Sequence, residues 1–382
     1  MQKLPSFVRN KPIEHPDKRR FRVAGFAMFI LAAGLLLARL LAHLLGLALA
    51  GSVSEATANI IVTAFFTIIV QVGICFLLMF FVYKRGLGLS TKQVLQLSNF
   101  QKTTKLNLVL MVPIGIVGLG VTIGVSSVWM AFITLLGYNR PSEGSNLPDT
   151  FSLPLFLLQF FLVAVLPSIC EEFAMRGGLF TVLRKSYRGG MFYVLMAVAF
   201  GLFHQNITQV FYTALFGALM AFIVVKTKSI YPAMIVHFIN NGLSVFFTFA
   251  SRYGFLGGGI FTLIDYGVRY NPLMVTVSFI LACALLAGLL LILHYVNNNK
   301  TLHKKKDVIV SSGFDHTHNR VVLVGEVNVQ TVRALELEKE VYGEKQKEEL
   351  YKPNASDKAF FIGAMVTAGV FTVFSFVWGL LV

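Results

Sequence analysis

The sequence predicts an all-α, polytopic helical membrane protein with about eight core transmembrane helices and a ninth helix at the C-terminus. Of its residues, 56% are hydrophobic and only 13% are charged, whereas soluble domains are closer to half apolar and a quarter charged. Apolar runs of about 20 residues recur, the length that crosses the hydrocarbon core of a bilayer. These runs are too long and too uniformly apolar for the strands of a membrane barrel.

Each predicted span is an apolar run bounded by polar or basic residues. The fifth and sixth spans are short and are joined by a tight turn at Gln205 and Asn206. No cleavable signal peptide is expected, because the polar N-terminus leads directly into an apolar run of full membrane length. The predicted spans lie near residues 23–50, 58–83, 107–136, 152–183, 191–206, 209–225, 231–250, 271–296 and 359–382.

Basic residues are distributed unevenly between the loops on the two sides of the predicted membrane. They cluster at 18–22, 84–105, 184–188, 226–228 and 300–306, and the positive-inside rule places these segments in the cytoplasm. The opposite loops hold only three basic residues: Arg140, Arg252 and Arg269. We therefore expect a multi-pass protein of the cell membrane with a cytoplasmic N-terminus. Topology accounts for the net charge of +15, so the expected partner is anionic lipid of the inner leaflet and not nucleic acid.

Four regions follow from this pattern. Residues 1–22 form a cytoplasmic basic arm, and residues 23–296 form an eight-helix membrane core. The motifs that carry chemistry lie within 150–250. Residues 297–358 are a polar cytoplasmic segment, and 359–382 form the C-terminal transmembrane helix.

The polar segment contains two patterns of its own. Residues 307–330 alternate weakly, as short strands do, and residues 331–350 are charged and helix-prone. The stretch Asp315-His316-Thr317-His318 has side chains that bind metals, but a solvated turn is the favoured interpretation. Cysteines occur only in apolar spans and are interpreted as small buried side chains, not disulfides or a metal cluster: Cys75, Cys170 and Cys283.

Two adjacent carboxylates, Glu171 and Glu172, are the only acidic residues inside the predicted spans. A carboxylate at membrane depth costs on the order of a few kcal/mol, so its default interpretation is functional. Neighbouring helical residues point about 100° apart, so the two cannot face one target. Glu172 and Arg176 share a helix face and would pair, which leaves Glu171 as a general base. The alternative is that both glutamates pair with basic groups for packing alone.

Two other spans each carry a histidine. His204 ends the fifth span, one turn after Phe200, and a histidine in that place can also be a helix-to-helix hydrogen bond. His237 lies in the seventh span, and Asn241 follows it by four residues on the same face. Asn240 is a rival for the amide role. A carboxylate, two imidazoles and an amide on three helices predict a site that activates water.

Pro167 precedes Glu171 by four residues in the fourth span. Proline has no N–H, so the carbonyl of Val163 loses its helical donor. We therefore expect a bend just before the glutamates and a polar, water-accessible cavity beside it.

These residues resemble the motifs of a known family, the CPBP family of CAAX proteases and bacteriocin-processing enzymes (also called ABI), which includes the type II CAAX prenyl endopeptidases. The resemblance rests on Glu-Glu-x-x-x-Arg at 171–176, Phe-x-x-x-His at 200–204 and His-x-x-x-Asn at 237–241. It implies a helical membrane core and a structural pair of Glu172 and Arg176. The polar segment and the ninth span are additions to the usual core.

The resemblance also implies the remaining roles and an activity. Glu171 and His204 would activate water, and His237 with Asn241 would form the oxyanion hole. The expected function is an intramembrane endopeptidase that hydrolyses a peptide bond of a membrane-associated or prenylated precursor.

No cofactor is expected, but zinc stays open with Glu171, His204 and His237 as its candidate ligands. The zinc-binding helix motif His-Glu-x-x-His is absent from the sequence, and glutamate-activated water is favoured.

Two other functions stay open. A proton- or ion-coupled transporter also uses intramembrane Glu, His and Arg, although no internal repeat accompanies them here. The other is a catalytically silent protein of the bacteriocin-immunity type, against which the complete motif set argues.

Overall fold

The computed structural model describes residues 16–139, 147, 150–254, 272–298, 311–315, 320–324 and 351–381. Most of the predicted basic arm, most of the polar segment and the histidines of the Asp315–His318 stretch lie outside the described residues. The chain divides into two compact units. One comprises Met1–Leu290 and Tyr351–Val382, and the other comprises Leu291–Leu350.

The regular secondary structure of the described residues is helical, apart from one β-hairpin. The helices are α1 (Pro16–Leu49), α2 (Glu55–Leu87), α3 (Thr91–Leu97), α4 (Lys105–Leu135), α5 (Leu153–Ser186), α6 (Gly189–Phe203), α7 (Val210–Thr227), α8 (Tyr231–Tyr253), α9 (Pro272–Asn298) and α10 (Ala355–Leu381). In the second unit, β1 (Ser311–Asp315) pairs antiparallel with β2 (Arg320–Val324).

Eight of the described helices are long and apolar enough to cross a membrane. The fifth of the nine predicted spans, 191–206, corresponds to α6, an apolar helix of only 15 residues. The remaining described helix, α3, is short and connects α2 to α4. The chain is thus an all-α, polytopic membrane protein, as the apolar runs predicted.

Helix ends coincide with capping residues in the sequence. Ser90 and Gln93 form a reciprocal capping box at the start of α3, which satisfies two backbone donors of the first turn. Gly88 follows α2 with a φ of 67°, a left-handed conformation that glycine adopts without a steric penalty. These local signals explain why the apolar runs stop where they do.

The C-terminal helix α10 belongs to the same unit as the other apolar helices and packs along α1. At one end, Arg22 Nε of α1 donates a hydrogen bond of 2.8 Å to Asp357 Oδ1. At the other end, the backbone N–H of Asn139 donates to the carbonyl of Gly379 at 2.7 Å. The ninth predicted span is therefore an integral part of the helical unit.

Helix α5 is irregular on both sides of the glutamates. A π-helical stretch, Phe161–Val165, ends just before Pro167, which lies in the first turn of the regular segment Leu166–Ala174. A second π-helical stretch, Met175–Leu179, follows, and within it Gly177 has a non-helical φ of −78° and ψ of −121°. Such π-turns occur mostly at functional sites. The glutamates thus lie on a short regular segment between two breaks.

Candidate active site

Glu171 is buried in α5, with 6% of its surface exposed. Its Oε1 accepts a hydrogen bond of 2.7 Å from Gln71 Nε2 of α2. Gln71 is itself only 7% exposed and lies in the π-helical stretch Ile69–Leu78. The donor fixes one oxygen of the Glu171 carboxylate and leaves Oε2 for other partners.

Glu172 points away from Glu171 and into a fully buried ion pair. Arg176 Nη1 donates to Glu172 Oε1 at 3.0 Å, and both side chains have 0% exposure. Arg176 Nη2 donates to the carbonyl of Gly217 at 3.2 Å, and the guanidinium lies 4.5 Å from the ring centre of Phe200. The carboxylate, the carbonyl and the aromatic face each stabilise the buried cation, although Arg176 Nε and Glu172 Oε2 have no hydrogen-bond partner among the described residues. This is the pair that the helical spacing predicted.

His237 of α8 connects the two carboxylates. Its Nδ1 lies 2.9 Å from Glu172 Oε1, and its Nε2 lies 3.9 Å from Glu171 Oε2. An ionised carboxylate only accepts hydrogen bonds, so Nδ1 carries the proton that Glu172 binds. The separation on the other side is too long for a direct hydrogen bond, and a contact of this length is suited to a bridging group such as water. Nε2 therefore faces the free oxygen of Glu171.

His204 follows the last residue of α6, and its ring is oriented by a backbone carbonyl. Nδ1 lies 3.0 Å from the carbonyl oxygen of Phe200, so Nδ1 donates and Nε2 is the acceptor nitrogen. The ring also packs edge-on against the rings of Phe200 and Phe203, with ring centres 5.0 and 5.3 Å apart. Of the two histidines, His237 lies within 4 Å of Glu171, and no ion pair within 4 Å joins His204 to Glu171 among the described residues.

The turn after His204 is anchored to α1. Arg39 Nη2 donates to the carbonyl of His204 at 3.0 Å. Gln205, whose φ is 48°, donates through Nε2 to the carbonyl of Ala32 at 3.1 Å. A positive φ is unusual for a residue other than glycine, and these two hydrogen bonds hold the strained turn in place. The first helix therefore determines where the His204 backbone lies.

Asn241 repairs the backbone break that Pro167 causes. Its Nδ2 donates at 3.0 Å to the carbonyl of Val163, the oxygen that loses its helical donor to the proline. Its Oδ1 accepts from Asn240 Nδ2 at 3.2 Å, and Asn240 Oδ1 in turn accepts from Thr122 at 3.2 Å. One N–H of the Asn241 amide is left for a ligand, since the amide has two donors. Asn240 points to α4 and not to the break.

The three candidate zinc ligands do not come together as a metal-binding group in the structure. Among the residues that the structure describes, no group of three or more His, Cys, Asp or Glu side chains is placed to hold a metal ion. The hydrogen-bond partners of these ligands, Glu171, His204 and His237, are at Oε1 and at both Nδ1 atoms, and contacts of this kind are also made by metal-binding histidines. The expectation that no cofactor is needed stays a prediction, and we derive no step that uses zinc.

Two side chains near the site were not singled out from the sequence. Gln71 and Arg39 are each polar residues inside a predicted apolar span, in α2 and α1 respectively. Their polarity at membrane depth was a signal that could have marked both. Their partners could not be read from the sequence, because Gln71 and Glu171 are 100 residues apart.

One family model matches this part of the chain. Residues 153–243 match the model described as type II CAAX prenyl endopeptidase Rce1-like. The matched segment contains all three motifs on which the resemblance rests, so the resemblance is confirmed over that segment. No curated protein and no solved structure matches the chain. Residues 153–243 are therefore similar to type II CAAX prenyl endopeptidases of the Rce1-like kind, and this similarity supports a protease as the general class of the protein.

Proposed function

We propose that this protein is an intramembrane endopeptidase that hydrolyses a peptide bond of a membrane-associated substrate, in the manner of CAAX processing. The observation that carries the proposal is the division of roles between two adjacent carboxylates. Glu172 is neutralised by Arg176 at 3.0 Å, whereas the described residues give Glu171 an amide donor and no cation within 3.5 Å. A buried carboxylate without a paired cation is suited to accept a proton from water.

In the proposed first step, Glu171 Oε2 takes a proton from a water molecule while the water oxygen attacks the peptide carbonyl carbon. His204 assists through Nε2, the acceptor nitrogen that its Nδ1–H bond to the Phe200 carbonyl leaves available. The π electrons of the carbonyl move to oxygen and give a tetrahedral oxyanion. Gln71 keeps Glu171 in position by binding its other oxygen at 2.7 Å.

The oxyanion is stabilised by donors on α8. Asn241 offers its second amide N–H, and His237 offers Nε2–H when that nitrogen is protonated. The intermediate then collapses, the C–N bond breaks, and the proton on Glu171 passes to the leaving amine. One water is consumed, and the products are a carboxylic acid and an amine, which ionise to a carboxylate and an ammonium. Glu172 and Arg176 touch no reacting atom and hold the site rigid.

No metal ion is required in this proposal. The water is activated by a carboxylate and an imidazole, and the oxyanion is stabilised by N–H donors, which are sufficient for acyl transfer in principle. We also propose the orientation that the loop charges indicate, with the N-terminus in the cytoplasm and the protein in the cell membrane. Anionic lipid of the inner leaflet is then the expected surface partner.

The proposal is tested with the purified full chain in nanodiscs. The probe is an internally quenched peptide with a farnesylated cysteine, incubated in water enriched in oxygen-18. We expect cleavage after the modified cysteine and one oxygen-18 atom in the new carboxylate. Absence of cleavage of this probe and of an unprenylated hydrophobic control peptide, by protein that is folded and monodisperse, would contradict the proposed function.

A further inference from the structure

Arg39 is a basic residue inside the apolar helix α1, and its charge is not neutralised by a carboxylate of the described residues. The described ion pairs involve Arg20, Arg22, Arg176, Lys185 and His237 instead. An arginine at membrane depth is costly even on the most lenient scale of insertion energies. Such residues usually mark a binding site or an ion pathway.

The only hydrogen bond of Arg39 in the described part of the chain goes to a backbone carbonyl. Nη2 donates to the oxygen of His204 at 3.0 Å, at the C-terminal end of α6. The partial negative charge of a helix end compensates a cation only in part. A guanidinium has five N–H donors in a planar fork, so most of them stay available. The side chain is partly and not fully buried, so a ligand has access to it.

Arg39 is also close to the proposed reaction centre. The residue whose carbonyl it binds is His204, whose ring is proposed to assist Glu171. An anion bound to the free donors of Arg39 would therefore lie beside the imidazole that helps to activate water. A planar guanidinium binds a carboxylate through two parallel hydrogen bonds.

From these contacts we infer that Arg39 is a substrate-binding residue that receives a carboxylate of the peptide. The inference rests on the proposed function and names a feature of its substrate. The carboxylate is either the free C-terminus of the peptide or an acidic side chain near the scissile bond. The arginine acts on substrate choice, whereas the Gln205 hydrogen bond to Ala32 only anchors the same turn.

The test compares three versions of the farnesylated, internally quenched peptide, in full-length protein in nanodiscs. One has a free C-terminal carboxylate, the second has a C-terminal amide, and the third has the amide and a glutamate side chain in the preceding position. For the wild-type protein we expect kcat/KM for a carboxylate-bearing peptide to exceed that for the neutral amide by about 10-fold or more. Which of the two charged peptides is preferred identifies the source of the carboxylate.

The decisive quantity is the ratio of kcat/KM for a carboxylate-bearing peptide to kcat/KM for the neutral amide, measured in each variant. Arg39→Met should reduce it to about 2-fold or less, and Arg39→Lys should retain part of it, because the charge stays but the fork is lost. The matched control Gln205→Met loosens the same turn without changing charge, and it should lower the rates for all peptides equally. If Arg39→Met also lowers all rates equally and keeps the ratio, the arginine only anchors the turn and the inference is wrong.

A binding measurement separates this inference from the proposed function. The affinities of the same peptides are measured for the Glu171→Gln protein, because a binding measurement needs no turnover. A wild-type enzyme that cleaves charged and neutral peptides equally well would overturn the inference and leave the endopeptidase intact. If no peptide is cleaved, the endopeptidase fails, and equal affinities for charged and neutral peptides would overturn the inference as well.

Discussion

Replacement of Gln71 by methionine tests how Glu171 is held. The substitution keeps the length of the side chain but removes the donor that lies 2.7 Å from Glu171 Oε1. A hydrogen bond to a charged group contributes about 1.5–3 kcal/mol. If the bond is needed in the transition state, its loss lowers the rate by roughly 10- to 150-fold, since about 1.4 kcal/mol corresponds to a factor of ten.

The same change should affect folding little. Gln71 Oε1 is buried and has no hydrogen-bond partner among the described side chains, and an unsatisfied buried acceptor costs about 1–3 kcal/mol. Methionine removes this cost together with the favourable bond. We therefore expect normal yield and thermal stability with a reduced kcat and a KM that changes by less than about threefold.

The assay is steady-state cleavage of the farnesylated, quenched peptide by wild type, Gln71→Met, Glu171→Gln and the double variant. Because Gln71 acts through Glu171, its removal should cause no further loss when Glu171 is already replaced. Thr227→Val is the matched control, since it removes a buried hydroxyl that bonds only backbone carbonyls. A kcat of Gln71→Met equal to that of wild type, or losses that multiply in the double variant, would refute the reasoning.

Three further predictions concern the ion pair, the metal and the topology. Arg176→Met should destabilise the protein by about 3–5 kcal/mol, because Glu172 is left buried without its cation, whereas His204→Ala should lose activity at normal yield. Melting curves and cleavage rates of both variants check this. A stable Arg176→Met protein and an unstable His204→Ala protein would mean that the two roles are exchanged. Phenanthroline should leave the rate unchanged and elemental analysis should find no stoichiometric zinc; activity lost to the chelator and restored by zinc would contradict the mechanism. Ser52→Cys and Gly190→Cys, both at exposed positions, should react with an impermeant maleimide from opposite sides of the membrane, with position 190 on the cytoplasmic side. Labelling of both positions from one side would refute the topology.

The helices could be predicted because their information is local. Apolar runs of membrane length mark the spans directly, and the i to i+4 spacing of Glu172 and Arg176 determines a shared face before any tertiary contact is known. The loss of a donor at Val163 also follows from Pro167 alone. These predictions need only the geometry of one helix.

The contacts between helices could not be predicted in the same way. The sequence identifies Val163 as an orphaned acceptor but cannot show that Asn241, 78 residues later, supplies the donor. It likewise pairs Glu172 with Arg176 but not with His237, whose Nδ1 approaches Glu172 to 2.9 Å. Such pairs depend on how the helices rotate and pack, and small changes in helix phase would place other side chains there.

The C-terminal helix shows the same limit. From the sequence it was an addition of unknown role, because nothing in its apolar run indicates a partner. Ile207 lies three residues after His204, and its backbone N–H donates a hydrogen bond of 2.8 Å to Ser375 Oγ of α10. The helix therefore supports the turn that carries a proposed catalytic histidine.

The central claim is that Glu171 is the general base, and one measurement addresses it most directly. The rate of cleavage of the farnesylated peptide by Glu171→Gln is compared with that of wild type and of Glu55→Gln, which alters an exposed carboxylate in the first turn of α2. We predict a loss of at least about 100-fold for Glu171→Gln, the typical effect of removing a general base, with unchanged peptide affinity and a normal rate for Glu55→Gln. A well-folded Glu171→Gln protein that cleaves the peptide at a rate close to wild type would contradict the account.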